Sequence, residues 1–236
     1  MVSAVSTQGK LARKSLTQSL EVDQAATSYR FVSPGVRISK PTKKKGTERR
    51  RHIISAFIKC VKRHGYFNTT MAEIAAEADI QPGHLTYYFS NKKEILHCCY
   101  VSQAAVIVDG LERATNYHGD KKIEYLARFF FTDNRVVNCF TTGFMFEAFG
   151  VALNDPEIRV DREAMDEKIR ANLVTVLEDL QVGDGGGCSL RDKAEIAYAI
   201  IPGLKFTLFF GKQSGLEEGR ELFVKTLRAL TGRESF

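Results

Sequence analysis

From residue 47 onward the apolar positions recur with a helical period. Ile53, Phe57, Cys60 and Val61 fall on one stripe, and Gly65 suits the position just past the end of that helix. Thr70 and Glu73 have the spacing of a capping box, and Met71, Ile74, Ala75 and Ala78 then line one face of a short second helix. Asp79-Ile80 breaks the pattern. Pro82 suits the first turn of a third helix, because the N–H it lacks would be unpaired there in any case. Leu85 and Phe89 point back inward, and Asn91 with Glu94 opens a long helix running to about residue 117.

The same period continues to the end. Asp120 is placed to cap IEYLARFFF, and Asp155-Pro156 supplies a cap and first turn for a run to about 181. Ser189 with Asp192 opens a helix to about 210, and Gly215 precedes a last one to about 230. VGDGGG at 182–187 reads as a flexible connection without the strand–helix context of a phosphate loop. No segment alternates as a strand does. The expected fold is all-α: an N-terminal three-helix unit with a helix-turn-helix, followed by a larger helical domain.

Composition changes this picture at the front of the chain. Residues 1–45 are rich in Ser, Thr and Gln, have no sustained apolar period and end in a lysine run; they read as a disordered extension, or as a basic arm. Residues 1–93 hold 17 Lys/Arg against 6 Asp/Glu, whereas the remainder holds 17 against 22, which together give the formal +6. A basic front on an acidic back is the electrostatic layout of a nucleic-acid binder with an appended domain. The five cysteines include no CxxC pair, so a disulfide framework is not expected and the reduced cytoplasm is. No stretch of eighteen uninterrupted apolar residues is present, so no membrane partner is expected.

The third helix concentrates the candidate chemistry. With Leu85 and Phe89 buried, its opposite face displays Gln81, Pro82, His84, Thr86, Tyr87 and Tyr88. Hydroxyls and an imidazole at a groove edge can bond phosphates or base edges, and the Thr86 methyl or the Pro82 ring can press on a thymine methyl. Lys92 and Lys93 follow directly and are expected to supply phosphate charge. Thr70, with the N–H groups of the second helix's first turn, would make a further phosphate site.

Thr70, IAAEA at 74–78, GHLTYYF at 83–89 and Lys92 occur in the order that marks TetR-family transcriptional regulators, and residues 47–96 resemble their DNA-binding domain. Two positions depart from the common pattern. Asp79 stands where glycine is usual, and Thr86 stands where tyrosine is frequent. The resemblance implies three regions: an extension at 1–45, a DNA-binding domain at 46–92 with its helix-turn-helix motif at 70–89, and a ligand-binding and dimerisation domain at 93–236. It implies a sequence-specific regulator, a ligand-responsive repressor that binds a palindromic double-stranded DNA operator as a homodimer, without enzymatic activity. No cofactor or metal is implied.

The second half partly supports this. The helices at 189–211 and 216–230 are strongly apolar; two from each of two subunits would bury these faces as a four-helix bundle, although an intramolecular core would use the same residues. The segments at 140–159 and 194–211 are similar in spacing to the subgroup holding the choline-response and pyrimidine-response repressors. Aromatic residues crowd the middle helices, and Phe130, Cys139, Phe144, Met145 and Glu147 are the candidates for contacting an apolar or amphipathic small-molecule effector. Aromatic faces would also suit a quaternary ammonium ion.

Two rival readings follow from other features. His97-Cys98-Cys99 suggests a vicinal-thiol redox sensor, although neighbouring helix positions point in different directions. The basic tail alone would make a nonspecific architectural DNA binder with a steep salt dependence. No G-x-S-x-G, HExxH or dinucleotide fingerprint is present to support an enzyme.

Overall fold

The computed structural model describes residues 44–131, 142–182, 187–209 and 215–233; most of the N-terminal extension, most of the 182–187 connection and Cys139 lie outside them. Among the described residues every regular element is a helix. In chain order these are α1 (Lys44–Asn68), α2 (Met71–Glu77), α3 (Pro82–Tyr88), α4 (Lys92–Ala114), α5 (Gly119–Phe131), α6 (Thr142–Asn154), α7 (Pro156–Glu178), α8 (Leu190–Phe209) and α9 (Gly215–Leu230).

The first three helices fold around the stripe expected from their spacing. Ile53, Phe57, Cys60 and Val61 of α1 meet Ile74, Ala75 and Ala78 of α2 and its C-terminal end, together with Leu85 and Phe89 around α3, and all are buried. The boundaries follow from local chemistry. Gly65 takes φ +76° and kinks α1 one turn before its end, and Thr69 returns its hydroxyl to the Gly65 carbonyl at 2.8 Å. Thr70 accepts the Glu73 N–H while the Glu73 side chain accepts the Thr70 N–H, which completes the capping box.

The turn between α2 and α3 depends on Asp79, whose φ of +49° is the one positive value outside glycine among the described residues. A left-handed backbone costs an ordinary L-residue about 1–2 kcal/mol, and Asp less than most. Asp79→Gly is therefore expected to leave stability unchanged or raise it by up to about 1 kcal/mol, and Asp79→Val to lower it by about 1–2 kcal/mol. Urea denaturation of the two variants reads the difference; equal midpoints would mean that the turn relaxes without strain.

The C-terminal body is built on α4. This helix has the length and mean hydropathy of a membrane span, yet over half of its apolar window is covered by protein, chiefly by α7. α7 packs in turn on α8, and α9 closes the body against α5 and α8. Each late helix has two apolar faces. Ala194, Ala197, Ile201, Phe223 and Leu227 are buried within the chain, while Ile196, Phe206, Leu216 and Leu222 are exposed. Two expected starts shift slightly: Asp120 lies within the first turn of α5 rather than before it, and Gly215 is the first residue of α9.

The two halves meet along α1 and α6 as well as through α4. Phe144 is buried with its ring edge-on to Phe57 at 6.1 Å, and Glu147 accepts the Tyr66 N–H at 2.9 Å. A Cβ at Gly65 would sit 3.3 Å from the Glu147 carboxylate, so the kink in α1 also makes room for this contact. Lys93 pairs with Asp155 at 2.7 Å and with Glu157 at 3.2 Å, joining the start of α4 to the cap of α7. That ammonium holds the Asp155 carboxyl below the usual carboxylate range.

Candidate DNA-reading face and internal cavity

α3 is short, and its outer side is bare. Gln81, Pro82, His84, Thr86 and Tyr87 are exposed, Tyr88 is half-buried, and Leu85 and Phe89 are fully inside. Tyr87 is 76% exposed and stands edge-on to Tyr88 at 5.2 Å. Thr86 turns its hydroxyl onto the Gly83 carbonyl at 3.0 Å, which leaves its methyl as the outward group. The helix is held from behind by Arg50, which donates to the Tyr88 carbonyl at 2.6 Å and lies 4.1 Å from the Phe89 ring centroid. The sequence reading did not single out Arg50. It sits one turn before Ile53 and Ile54 and two turns before Phe57, and that placement was its one signal.

The lysines behind α3 differ from expectation. Lys92 donates to the carbonyls of Tyr66, Phe67 and Thr69 at 2.8–3.0 Å, so all three of its protons are engaged at the C-terminal end of α1. The reason is electrostatic: α1 ends in unpaired carbonyls with a partial negative charge, and an ammonium satisfies them. Lys93 is taken by Asp155 and Glu157. The first turn of α2 likewise already holds an anion, because the Thr70 backbone and hydroxyl both donate to the Glu73 carboxylate and lower its pKa.

The five residues named for the effector divide. Phe130 and Met145 line a cavity of about 110 Å³ in the C-terminal body. Phe144 and Glu147 face α1 instead, and Cys139 lies outside the described residues. The rest of the wall comes from α4, α5, α7 and α8, and its polar members are Gln103, Thr142, Arg162, Tyr198 and Lys205. None of these polar members is among the five candidates drawn from the sequence. The available signal for Arg162 was its place among Ile158, Met165 and Ile169, and for Lys205 its place one turn after Ile201.

The cavity's polar groups are partly self-satisfied. Arg162 pairs with Asp166 at 2.8 Å and donates to the Tyr198 hydroxyl at 3.2 Å, and that hydroxyl donates to Asp166. Burial opposes the Arg162 charge, but Tyr198 and Asp166 outweigh it and keep its pKa above the ordinary arginine value. Pro202 also lines the cavity from within α8, where it withdraws one N–H from the helical ladder. Gly110 brings α4 against the Phe129 ring so closely that a Cβ there would lie 2.1 Å from it.

The thiol and metal features do not converge. His97 is buried with Nδ1 2.7 Å from Asp161, Cys98 lies 3.5 Å from an Arg50 nitrogen, and Cys99 is buried on another side of α4. Burial pushes the Cys98 thiol up despite Arg50, which disfavours the reactive thiolate. Among the described residues no three His, Cys, Asp or Glu side chains are grouped as metal ligands.

A short helix presenting bare polar and aromatic side chains, fixed to a helical body with an internal cavity, defines a helix-turn-helix protein with an appended cavity-bearing domain. Comparison with known proteins makes this specific. The family model described as "Bacterial regulatory proteins, tetR family" matches residues 53–99. Over 49 residues the chain is 45% identical to the HTH-type transcriptional regulator HbdR of Aromatoleum sp. (strain CIB), an alignment spanning 21% of each protein. The fold matches a Pseudomonas aeruginosa PAO1 protein described as a transcriptional regulator at TM-score 0.67 and 19% identity, over 84% of this chain and 95% of that one. It also matches a Saccharomonospora viridis protein solved with choline, at TM-score 0.63 and 17% identity, over 77% and 96% of the two chains. Residues 53–99 thus match the DNA-binding domain of the TetR family, and the rest of the chain shares the fold of these solved regulators.

Proposed function

We propose that this protein is a ligand-responsive transcriptional repressor of the cytoplasm, acting as a homodimer on a palindromic duplex operator. The observation that carries the reading is the position of α6. Met145 and Phe146 on this helix line the cavity, whereas Phe144 and Glu147 on it hold α1 of the DNA-binding unit. A ligand that moves α6 therefore moves the support of α3. The switch needs only that ligand-bound and ligand-free states place the two DNA-binding units at different separations.

The exposed apolar faces of α8 and α9 support the dimer. Phe206, half-exposed with its ring edge-on to Phe146, and Leu222 keep accessible apolar surface outside the residues these helices bury internally, which a second copy can cover. On DNA, Tyr87 and Gln81 are the donors best placed for phosphates or bases, with His84 beside them and the Pro82 ring and Thr86 methyl as apolar contacts. Tyr88 and Thr70 support this face from their half-buried and capping positions. Lys92 acts by holding α1 rather than by touching phosphate.

The test is selection of binding sites from randomised duplex DNA, followed by the Tyr87→Ala variant on the recovered site. A palindrome with half-sites about one helical turn or more apart is expected. Tyr87→Ala should weaken binding about tenfold with no change in melting temperature, because an exposed side chain contributes little to folding. Unchanged affinity in a folded variant would place the reading surface elsewhere.

A further inference from the structure

Among the described residues, one charge on the cavity wall has no balancing carboxylate. Arg162 is neutralised locally by Asp166, but Lys205 has no carboxylate partner among the described residues. Its ammonium lies over the Phe131 ring, 5.9 Å from the ring centroid. It lies one turn beyond Ile201 and shares the wall with Phe129, Phe130 and Met145. An ammonium facing apolar side chains without a counter-ion is costly, and an arriving anion relieves that cost. A second feature agrees. The Gln103 amide, nearly buried, donates to the Met145 sulfur at 2.8 Å, and a thioether is a weak acceptor. A ligand oxygen would be a better one.

We propose that the cavity takes a small carboxylate with an apolar body, its charge received by Lys205 and its second oxygen within reach of the Gln103 amide. This rests on the reading of the cavity as the effector site. The free space is about 110 Å³, somewhat less than the roughly 150 Å³ of a dry apolar cavity that admits benzene, so the ligand is no larger than a single ring or a short chain. The charge pattern disfavours a quaternary ammonium ion, which the aromatic content of the sequence had left open. Two cationic side chains share the wall with those rings. Choline bound to the Saccharomonospora viridis relative is thus a property of that protein.

The pH dependence is a distinct signature. Burial lowers the Lys205 pKa to about 8. The other titratable groups on this side are Arg162 and Asp166 of α7, which form an ion pair, and Tyr198 of α8, which burial pushes above the ordinary tyrosine range. Arg162 stays charged and Tyr198 neutral between pH 6 and 9, and simple carboxylates are fully ionised there. Affinity should therefore be level from about pH 6 to 7.5 and fall roughly tenfold per unit above about 8, as the lysine loses its proton.

The experiment is calorimetric titration of the full chain with hexanoate and benzoate, with 1-hexanol and benzyl alcohol as neutral counterparts and choline as the cation. The carboxylates should bind at least tenfold more tightly than the alcohols at pH 7, lose affinity with rising pH as stated, and bind more tightly than choline. Lys205→Met should lose the carboxylate preference yet bind the alcohols as the parent does, which also shows that its cavity is intact. Equal binding of carboxylates and alcohols, retained carboxylate preference in Lys205→Met, tighter choline binding, or no binding by any carboxylate overturns the proposal. Operator release separates the two readings. Carboxylate binding that leaves the operator complex untouched sustains this inference and removes the effector role. Release by an alcohol or by choline alone does the reverse.

Discussion

Lys92→Met should lower the melting temperature by roughly 4–10 °C while leaving the salt dependence of operator binding unchanged. The expectation follows from the three carbonyls that the ammonium joins at the end of α1, those of Tyr66, Phe67 and Thr69. Charge-assisted hydrogen bonds are stronger than neutral ones, and a cation at a helix C-terminus also opposes the partial negative charge there. The Tyr66 ring, 4.6 Å away, adds a cation–π contact. Together these are worth about 2–3 kcal/mol after allowance for part-exposure, since water can replace the lysine at some of the carbonyls. Methionine keeps most of the aliphatic stem, so lost packing is a minor part of the change. The two roles for Lys92 separate cleanly in one variant. A phosphate contact would flatten the slope of log affinity against log salt by about one and leave melting nearly unmoved. A cap does the opposite. Operator affinity should still fall somewhat, because the end of α1 and the start of α4 together fix where α3 lies.

The parts of this fold that were legible in the sequence are those set by local chemistry. Thr70 and Glu73 form the capping box their spacing requires, Pro82 opens α3, and Asp79 takes the left-handed turn that its side chain tolerates. Asn91 caps α4 through the Glu94 N–H as expected, although Glu94 answers to the Ser90 N–H rather than to Asn91 itself. The outer face of α3 was legible because Leu85 and Phe89 leave a single choice of which side is buried. The destinations of long or isolated side chains were not. Lys92 has the same local sequence signature whether its flexible stem reaches out to phosphate or back to α1. Helix α6 was opaque for a different reason: Phe144, Met145, Phe146, Ala148 and Phe149 are apolar on nearly every side, so no period distinguishes the cavity face from the α1 face. Lys205 was hidden because a lysine at the end of an apolar run reads as a helix-ending residue. Only the arrangement of α5, α6 and α7 around it shows that it is enclosed.

Phe144→Ala should have the largest effect on stability of any change at the junction, about 3–5 kcal/mol and so roughly 10 °C or more in melting temperature. Phe144 is fully inside and packs edge-on to Phe57, itself fully buried in α1, so the deletion leaves a hole between the two halves that neither can close alone. Glu147→Ala, one turn along, should cost less, about 1–3 kcal/mol, and act more selectively. It removes the acceptor of the Tyr66 N–H, whose own residue is buried, and thereby loosens the last turn of α1 where Gly65 already interrupts the helix. Amide hydrogen exchange should report this directly, with protection at Tyr66 lost and that of the α7 core retained. Glu147→Gln keeps an oxygen acceptor and should restore most of the protection. If the junction transmits the ligand signal, the Glu147→Ala variant will bind operator yet respond less to any compound that occupies the cavity, because α6 can then move without carrying α1 along. Independent halves would instead give unchanged exchange at Tyr66 and a full ligand response. The pair also tests itself: Phe144 and Glu147 both hold α1, so the double variant should lose less than the sum of the two single losses if they act as one wedge, and the full sum if they act apart.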